Sequence, residues 1–269
     1  MVKLFVTDLD GTLLPTGTEV SPKNIEAAQA AAAAGVTVTI ATGRMYKASL
    51  PVARQLGVDV PIITYNGALI KSVSGKVLYT NYLEPELICK LVDFCRERGW
   101  YLQSYSHDEL YLAERDEYAR GYEEAQQVTG HVVGWEGLKE HTEAVCKLLC
   151  ITKGDEETQA RQALLREHFG QVFSATQSTP RYIEIINPEV SKAAGIRTLA
   201  DILQVKLDEV MAIGDGRNDL PMLKSVPNSV AMGNAVPEVM EICKYRTGTC
   251  QEDGWAEAVY KYVLGGERG

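Results

Sequence analysis

The sequence contains no run of about 18 consecutive apolar residues, the length that a membrane-spanning helix requires. Its N-terminal stretch, MVKLFVTDLDGTLL, is interrupted by Asp8 and Asp10, a pattern that argues against a secretory signal or a transit peptide. We therefore expect a cytoplasmic protein with no membrane partner.

Cysteine pairs with metal-binding spacing are also missing. The six cysteines among the 269 residues include no CxxC pair, so we expect no structural zinc site. A disulfide framework is not expected either, because the chain is long and lacks a secretory signal. The thiols should be reduced and mostly buried.

Positive charge is scarce in this chain. Lysine and arginine number 27 against 36 acidic residues, which leaves a formal net charge of −9. This balance disfavours nonspecific nucleic-acid binding, which needs cations to neutralise phosphates, and adsorption to anionic membranes. Hydrophobic residues at 45% and charged residues at 23% are typical of a globular protein and exclude a disordered chain.

Short apolar strands alternate with helical segments near both ends of the chain. The strand-like segments are KLFVTDL, VTVTIA, PIITYNG, EVMAIGDG and NSVAMG. Their alternation with helices predicts an α/β fold, a Rossmann-like parallel sheet with helices on both faces. The middle of the chain differs, because its strands suggest antiparallel pairs that carry two or three helices. We predict an α+β cap domain, 83–185, inserted into a core domain of 1–82 and 186–269.

The strongest chemical signal is DLDGT, residues 8–12, directly after the first predicted strand. Ligands of open parallel sheets bind at the carboxyl ends of the strands. Asp8 and Asp10 could bind a divalent cation, which prefers hard oxygen ligands. Alternatively, one could act as a nucleophile while the other transfers protons. The plain structural interpretation is an Asp-rich turn.

A second signal, IATGR, follows the second predicted strand. The Thr42 hydroxyl and the Gly43 amide suit an anion, and Arg44 could add positive charge. Equally, Thr42 could cap the helix that comes next.

Two further signals lie near the C-terminal end of the predicted core. GDGRND places Asp215, Asn218 and Asp219 around the start of a short helix. The simplest structural interpretation of these residues is helix capping. Lys192 falls in the first turn of another helix, where the helix dipole disfavours a cation. It is therefore either an exposed lysine or the partner of an anion.

The charges of the residues in these motifs constrain one another. If Asp8, Asp10, Asp215 and Asp219 meet at one sheet edge, their formal charge of about −4 requires compensation. A divalent cation and Lys192 would supply most of it, and protonation of Asp10 would bring the sum near zero. Such a site also accommodates a phosphate. We therefore expect a divalent metal and a phosphorylated ligand.

In their order, DLDGT, TGR, a helix-borne lysine and GDGRND resemble the four motifs of the haloacid dehalogenase (HAD) superfamily. TYNGALI, INPEVSKAAG and SVAMGNA resemble its Cof-type branch, which carries a class IIB cap. The resemblance covers essentially the whole chain. It implies a Mg²⁺-dependent phosphatase that acts on small phosphate monoesters, such as sugar phosphates or similar phosphorylated metabolites, through an aspartyl-phosphate.

The resemblance also implies a role for each motif residue. Asp8 would be the nucleophile, while Asp10 would protonate the leaving alkoxide and then activate water. The residues that would bind phosphate are Leu9, Thr42, Gly43, Lys192 and Asn218. The residues that would hold Mg²⁺ are Asp8, Asp10 through its carbonyl, Asp215, and Asp219 directly or through water. Looser matches that would shape turns near the site are Asn66, Gly67, Asn187 and Asn234.

Nothing in the predicted cap identifies the leaving group. The candidate substrate contacts are Arg44, His107 and Arg181. Two other functions stay open at this point. One is a phosphomutase or phosphotransferase that uses the same intermediate, and the other is a phospho-accepting regulatory domain.

Overall fold

The computed structural model describes residues 1–57 and 60–266, and the chain divides into two compact units. The first unit joins Met1–Tyr79 to Ser191–Gly269, and the second is Thr80–Val190. The assignment of 83–185 as an inserted cap domain stays a prediction. Within the described residues, no helix is both long and apolar enough to cross a bilayer.

Alternating strands and helices open the chain. In order they are β1 (Leu4–Thr7), α1 (Pro22–Ala33), β2 (Thr37–Ile40), α2 (Tyr46–Gln55), β3 (Ile62–Thr64), β4 (Leu69–Lys71) and β5 (Val77–Thr80). Helix α1 has a capped start, because the Ser21 hydroxyl accepts a hydrogen bond from the Asn24 amide and Pro22 occupies the first turn.

The second unit contains a separate sheet. Its elements are α3 (Pro85–Glu97), β6 (Gln103–Ser106), β7 (Glu109–Leu112), α4 (Glu117–Gln126), β8 (His131–Val132), α5 (Gly134–Glu140), β9 (Val145–Ile151), α6 (Asp155–Phe169), β10 (Ser174–Thr179) and β11 (Tyr182–Ile186). The six strands follow the order β10-β11-β9-β6-β7-β8, and each neighbouring pair is antiparallel except β7 with β8.

This unit carries four helices across residues 80–190, so the prediction of two or three was too low. The additional helix is α5, which is seven residues long and includes Gly134 and Gly137. Glycine disfavours helix interiors, so local propensity does not indicate this helix. Burial of Leu138 in the unit's hydrophobic core stabilises it instead.

The chain then returns to the first unit. The remaining elements are α7 (Lys192–Leu203), β12 (Val210–Gly214), α8 (Leu220–Ser225), β13 (Asn228–Ala231), α9 (Pro237–Ile242), β14 (Tyr245–Arg246) and α10 (Gly254–Ala258).

The main sheet of the first unit is entirely parallel and has the strand order β14-β13-β12-β1-β2. Every residue of β1 and β12 is buried, as expected for strands covered on both faces. The register pairs Thr7 with Ile213 on one side and with Ile40 on the other. The chain therefore leaves β12, β1 and β2 at neighbouring points of one sheet edge.

A tight turn follows the third predicted strand. Strand β3 forms one parallel bridge to the main sheet, from Ile63 to Ala41, and pairs antiparallel with β4. In the turn, Gly67 has a φ of +109°, and a Cβ atom there would lie 2.4 Å from the Ser191 carbonyl oxygen. Glycine thus allows the turn to pack directly against the start of α7.

Candidate active site

The chain turns sharply after β1. The amides of residues 12–14 all donate to the Leu9 carbonyl. Gly11 has a φ of +80°, and a Cβ atom on it would lie 2.4 Å from Asp215 Oδ2. The turn therefore requires glycine both for its backbone conformation and for its close approach to Asp215.

Three aspartates meet at this sheet edge. Carboxylate oxygens of Asp8, Asp215 and Asp219 lie within 4.8 Å of one another. Asp8 follows β1, whereas the other two flank the turn that follows β12. The structure thus brings together three of the four predicted metal-binding aspartates, and the Asp10 carboxylate is not a member of this group.

Lys192 is the cation of this acidic cluster. It is the first residue of α7, and its Nζ donates to Asp8 Oδ1 at 2.5 Å and to Asp219 Oδ1 at 2.6 Å. Burial acts against the charged amine, but Asp219 and Asp8 together raise the pKa of Lys192 above its ordinary value. The lysine is therefore a buried ammonium that pairs with two carboxylates.

Asp219 shapes the turn that carries Asp215. Its Oδ2 accepts hydrogen bonds from the Asp215 amide at 3.1 Å and from the Gly216 amide at 3.0 Å. A Cβ atom on Gly214 would lie 2.7 Å from the same oxygen. Asp219 thus fixes the backbone from which the Asp215 side chain projects.

Two residues without a predicted catalytic role orient the Asp215 carboxylate. The Thr12 hydroxyl donates to Asp215 Oδ1 at 3.0 Å. The Asn234 amide nitrogen lies 3.5 Å from Asp215 Oδ2 and donates to the Gly11 carbonyl at 2.8 Å. Thr12 belongs to DLDGT and Asn234 to SVAMGNA, so the motifs marked these positions without revealing what they contact.

The acidic cluster has an uncompensated negative charge. Three carboxylates and one ammonium carry a formal charge of −2. Burial, followed by the repulsion of Asp219, raises the pKa of Asp8 well above its ordinary range and outweighs the attraction of Lys192. The same two causes raise the pKa of Asp215 to about 6. A divalent cation would neutralise the cluster, and its carboxylate oxygens are the hard ligands such a cation prefers.

Asp10 lies outside the cluster and has a counter-ion of its own. The Arg44 Nε donates to Asp10 Oδ2 at 2.9 Å, and its Nη2 donates to Asp10 Oδ1 at 2.5 Å. The expected group of four carboxylates is therefore three in close contact, while Asp10 pairs with a guanidinium and still repels Asp8 and Asp215. The sequence argument did not include this charged hydrogen-bond partner of Asp10.

The predicted phosphate-binding residues lie around the same edge. Thr42 is buried just after β2, and its Oγ1 accepts a hydrogen bond from the Arg44 amide at 3.1 Å. Its hydroxyl proton remains a donor. Gly43 lies between these two residues, and Asn218 lies in the turn Arg217–Asp219. Leu9 is fully buried, so only its backbone is suited to an anion.

The remaining predicted substrate contacts belong to the second unit. His107 lies in the turn between β6 and β7, where its Nε2 is 3.8 Å from Glu143 Oε2. Arg181 lies between β10 and β11, and its Nε donates to the Thr152 carbonyl at 2.9 Å. Their assignment to the substrate stays a prediction.

Residues 5–259 match the family model of the haloacid dehalogenase-like hydrolases. The chain belongs to this family. The match spans both parts of the first unit and the whole second unit. It includes DLDGT, TGR, Lys192 and GDGRND, the features that carried the resemblance in the sequence.

Relatives of this HAD hydrolase match it over its length. A protein of Streptococcus pyogenes serotype M6 with a provisional phosphatase name is 31% identical, over 98% of this chain and 99% of its own. The Bacillus subtilis 5-amino-6-(5-phospho-D-ribitylamino)uracil phosphatase YcsE is 30% identical, over 98% and 96%. The solved structure of the HAD subclass IIB sugar phosphatase BT4131 has a TM-score of 0.83 at 26% identity, over 98% and 99%.

These relatives identify the HAD hydrolase as a phosphoric monoester hydrolase of small phosphorylated substrates. Members of the family use a divalent metal, and the cluster of Asp8, Asp215 and Asp219 has the donor set for one.

The raised pKa of Asp215 predicts that this residue destabilises the metal-free protein. Because the folded-state pKa of about 6 exceeds the ordinary 3.8, stability falls as the pH rises through that interval. We expect Asp215→Asn to raise the Tm in EDTA at pH 8 by about 2–4 °C, roughly the effect of 1 kcal/mol in a protein of this size.

The same variant should lose most of the stabilisation that Mg²⁺ gives to the wild type. Thermal unfolding at pH 4 and pH 8, with EDTA or with Mg²⁺, measures both effects. The Tm difference in EDTA should disappear at pH 4. An unchanged or lower Tm for Asp215→Asn in EDTA at pH 8 would show that the ionised Asp215 carboxylate does not destabilise the folded protein.

Proposed function

We propose that this HAD hydrolase is a Mg²⁺-dependent phosphatase that forms an aspartyl-phosphate on Asp8. The observation that carries the proposal is the acidic cluster itself. A buried nucleophile candidate lies within reach of two further carboxylates and bonds to a buried lysine. The formal charge of −2 that remains on the cluster matches one divalent cation. Such a site suits phosphoryl transfer, which depends mainly on positioning and charge stabilisation.

In the first step, an Asp8 oxygen attacks phosphorus as the bond to the leaving oxygen breaks. Asp10 gives its proton to the departing alkoxide, and Lys192 balances the charge of Asp8 and the phosphoryl group. In the second step, Asp10 takes a proton from water as the water oxygen attacks phosphorus. The Asp8–phosphorus bond breaks, which regenerates the carboxylate and releases inorganic phosphate.

Asp8, Asp215 and the Asp10 carbonyl would hold the metal, which would supply positive charge to the nucleophile and the phosphoryl group. Asp219 is less available as a metal ligand. Its Oδ2 already accepts from two backbone amides and its Oδ1 from Lys192. We therefore assign Asp219 the tasks of holding the lysine and the Asp215 turn, with a lone pair on Oδ1 left for the metal or its water.

The substrate class follows from the relatives. One is named as a phosphatase of a phosphoribitylamino-uracil and another as a sugar phosphatase. Both names describe phosphate esters of polyhydroxylated chains or rings. We propose a sugar phosphate or a similar phosphorylated polyol as the substrate. A cytoplasmic location is proposed as well, on the basis of six unpaired thiols.

Metal removal and a substrate screen test this function. We expect EDTA to reduce phosphate release to the uncatalysed rate and Mg²⁺ in excess to restore it, because the cluster cannot neutralise itself. The screen measures phosphate release from about 100 phosphorylated metabolites and follows sugar phosphates by product analysis. Isomerised sugar phosphate without free phosphate would identify a mutase instead, and turnover without metal would contradict the charge argument.

A further inference from the structure

Arg44 is a buried arginine whose charge is directed at a single exposed carboxylate. Its side chain is 4% exposed, whereas the Asp10 side chain is 59% exposed. The pair is bidentate, since Nε contacts Oδ2 and Nη2 contacts Oδ1. Such a fork fixes the plane of a carboxylate as well as its position.

The arginine itself is held rigidly. Its Nη2 also donates to the Gly17 carbonyl at 2.9 Å, which fixes the far end of the guanidinium. Its backbone amide donates to Thr42 Oγ1 at 3.1 Å, and its carbonyl accepts from the Tyr65 amide at 3.0 Å. Arg44 therefore links the turn after β2 to the turn after β1 through an immobile side chain.

We infer that Arg44 is a positioning residue that sets the orientation of Asp10 for proton transfer. The inference rests on the proposed function, in which Asp10 is the general acid and base. An exposed aspartate on a turn samples several rotamers, and proton transfer requires one of them. Each Asp10 oxygen uses one lone pair for the guanidinium and keeps a second one. The fork thus orients the carboxyl group without blocking it.

Two other roles fit the geometry less well. A direct phosphate contact would require the guanidinium to face the substrate, yet its Nε and Nη2 donate to Asp10 and Gly17. A purely structural ion pair fits less well, because the Asp10 side chain is more than half exposed and solvent screens its side of the pair.

The leaving group provides the test. Protonation of the leaving oxygen accelerates the departure of an alkoxide. It has little effect on 4-nitrophenolate, which departs without a proton. In addition, kcat/KM reports only the steps up to formation of the phosphoenzyme, so the second use of Asp10 does not enter. The comparison therefore uses kcat/KM for 4-nitrophenyl phosphate and for an alkyl phosphate, the best sugar phosphate from the screen.

Arg44→Lys keeps the charge and removes the fork. We expect it to lower kcat/KM for the alkyl phosphate by about 10²-fold, the order expected for a misplaced catalytic group. For the aryl phosphate, we expect a loss of no more than about threefold. Arg54→Lys, an exposed arginine on α2, is the matched control and should change neither value.

A double variant separates positioning from a general effect. If Arg44 acts through Asp10, then Arg44→Lys should cause no further loss for the alkyl phosphate in an Asp10→Asn background. Equal losses with both substrates, or losses that multiply in the double variant, would overturn the inference.

The proposed function is tested separately by Asp10→Asn alone. A loss confined to the alkyl phosphate in this variant, without one in Arg44→Lys, would reject only the positioning role. The absence of any alkyl-selective loss in Asp10→Asn would reject Asp10 as the general acid, and the inference with it.

Discussion

Replacement of Asp8 by asparagine lowers kcat/KM for an aryl phosphate by a factor of about 10³ or more, because a carboxamide cannot form the acyl phosphate. The change is nearly isosteric, and the variant should remain folded. Burial and the repulsion of Asp219 raise the pKa of Asp8, so removal of this charge should even stabilise the variant in EDTA. Steady-state release of 4-nitrophenolate measures the loss of activity, and thermal unfolding checks the fold.

The control for this variant is Asp201→Asn. Asp201 is an exposed aspartate on α7, the helix that begins at Lys192. It should retain the full rate. If Asp8→Asn kept more than about a tenth of the wild-type rate, Asp8 would not be the nucleophile.

The second large effect is expected for Lys192→Met, which keeps the length of the side chain and removes its charge. Asp8 and Asp219 would then lack their shared cation. Removing one partner of a buried ion pair destabilises a protein by about 3–5 kcal/mol. Loss of a charged donor at the reacting group lowers kcat by about 10²–10³-fold. Denaturant unfolding in EDTA and kcat for the aryl phosphate measure the two losses.

A compensating variant distinguishes the charge from the packing. In Lys192→Met combined with Asp219→Asn, one buried positive and one buried negative charge are removed together, so the cluster keeps its formal charge of −2. The carboxamide oxygen introduced by the second substitution could still accept from the two backbone amides that now bond to Asp219 Oδ2. We expect the double variant to regain most of the lost stability and none of the activity. A double variant no more stable than Lys192→Met would show that packing, rather than charge, accounts for the loss.

Much of the first unit could be predicted from the sequence because its signals are local. Buried apolar runs predicted β1, β2 and β12, and residues at their carboxyl ends necessarily share one sheet edge. The meeting of Asp8 with Asp215 follows from that topology. The start of α1 is equally local, since Ser21 caps the helix and Pro22 occupies its first turn.

Contacts between distant side chains were not predictable. The fork between Arg44 and Asp10 depends on the rotamers of two residues 34 positions apart. Trp255 is a buried residue whose Nε1 donates to Thr7 Oγ1 at 2.9 Å, and that hydroxyl donates to the Asp8 carbonyl at 2.6 Å. The backbone of the candidate nucleophile is thus fixed by a residue from the opposite end of the chain.

The proposed mechanism requires Asp8 to carry the phosphoryl group between two steps. Its most direct test is a rapid-mixing experiment with Asp10→Asn, 4-nitrophenyl phosphate and Mg²⁺, followed by acid quench and mass analysis of the peptide that contains Asp8. We expect a burst of nitrophenolate close to one equivalent of enzyme, slow turnover afterwards, and a phosphoryl group on Asp8. Continued product release with no burst and an unmodified Asp8 would contradict it.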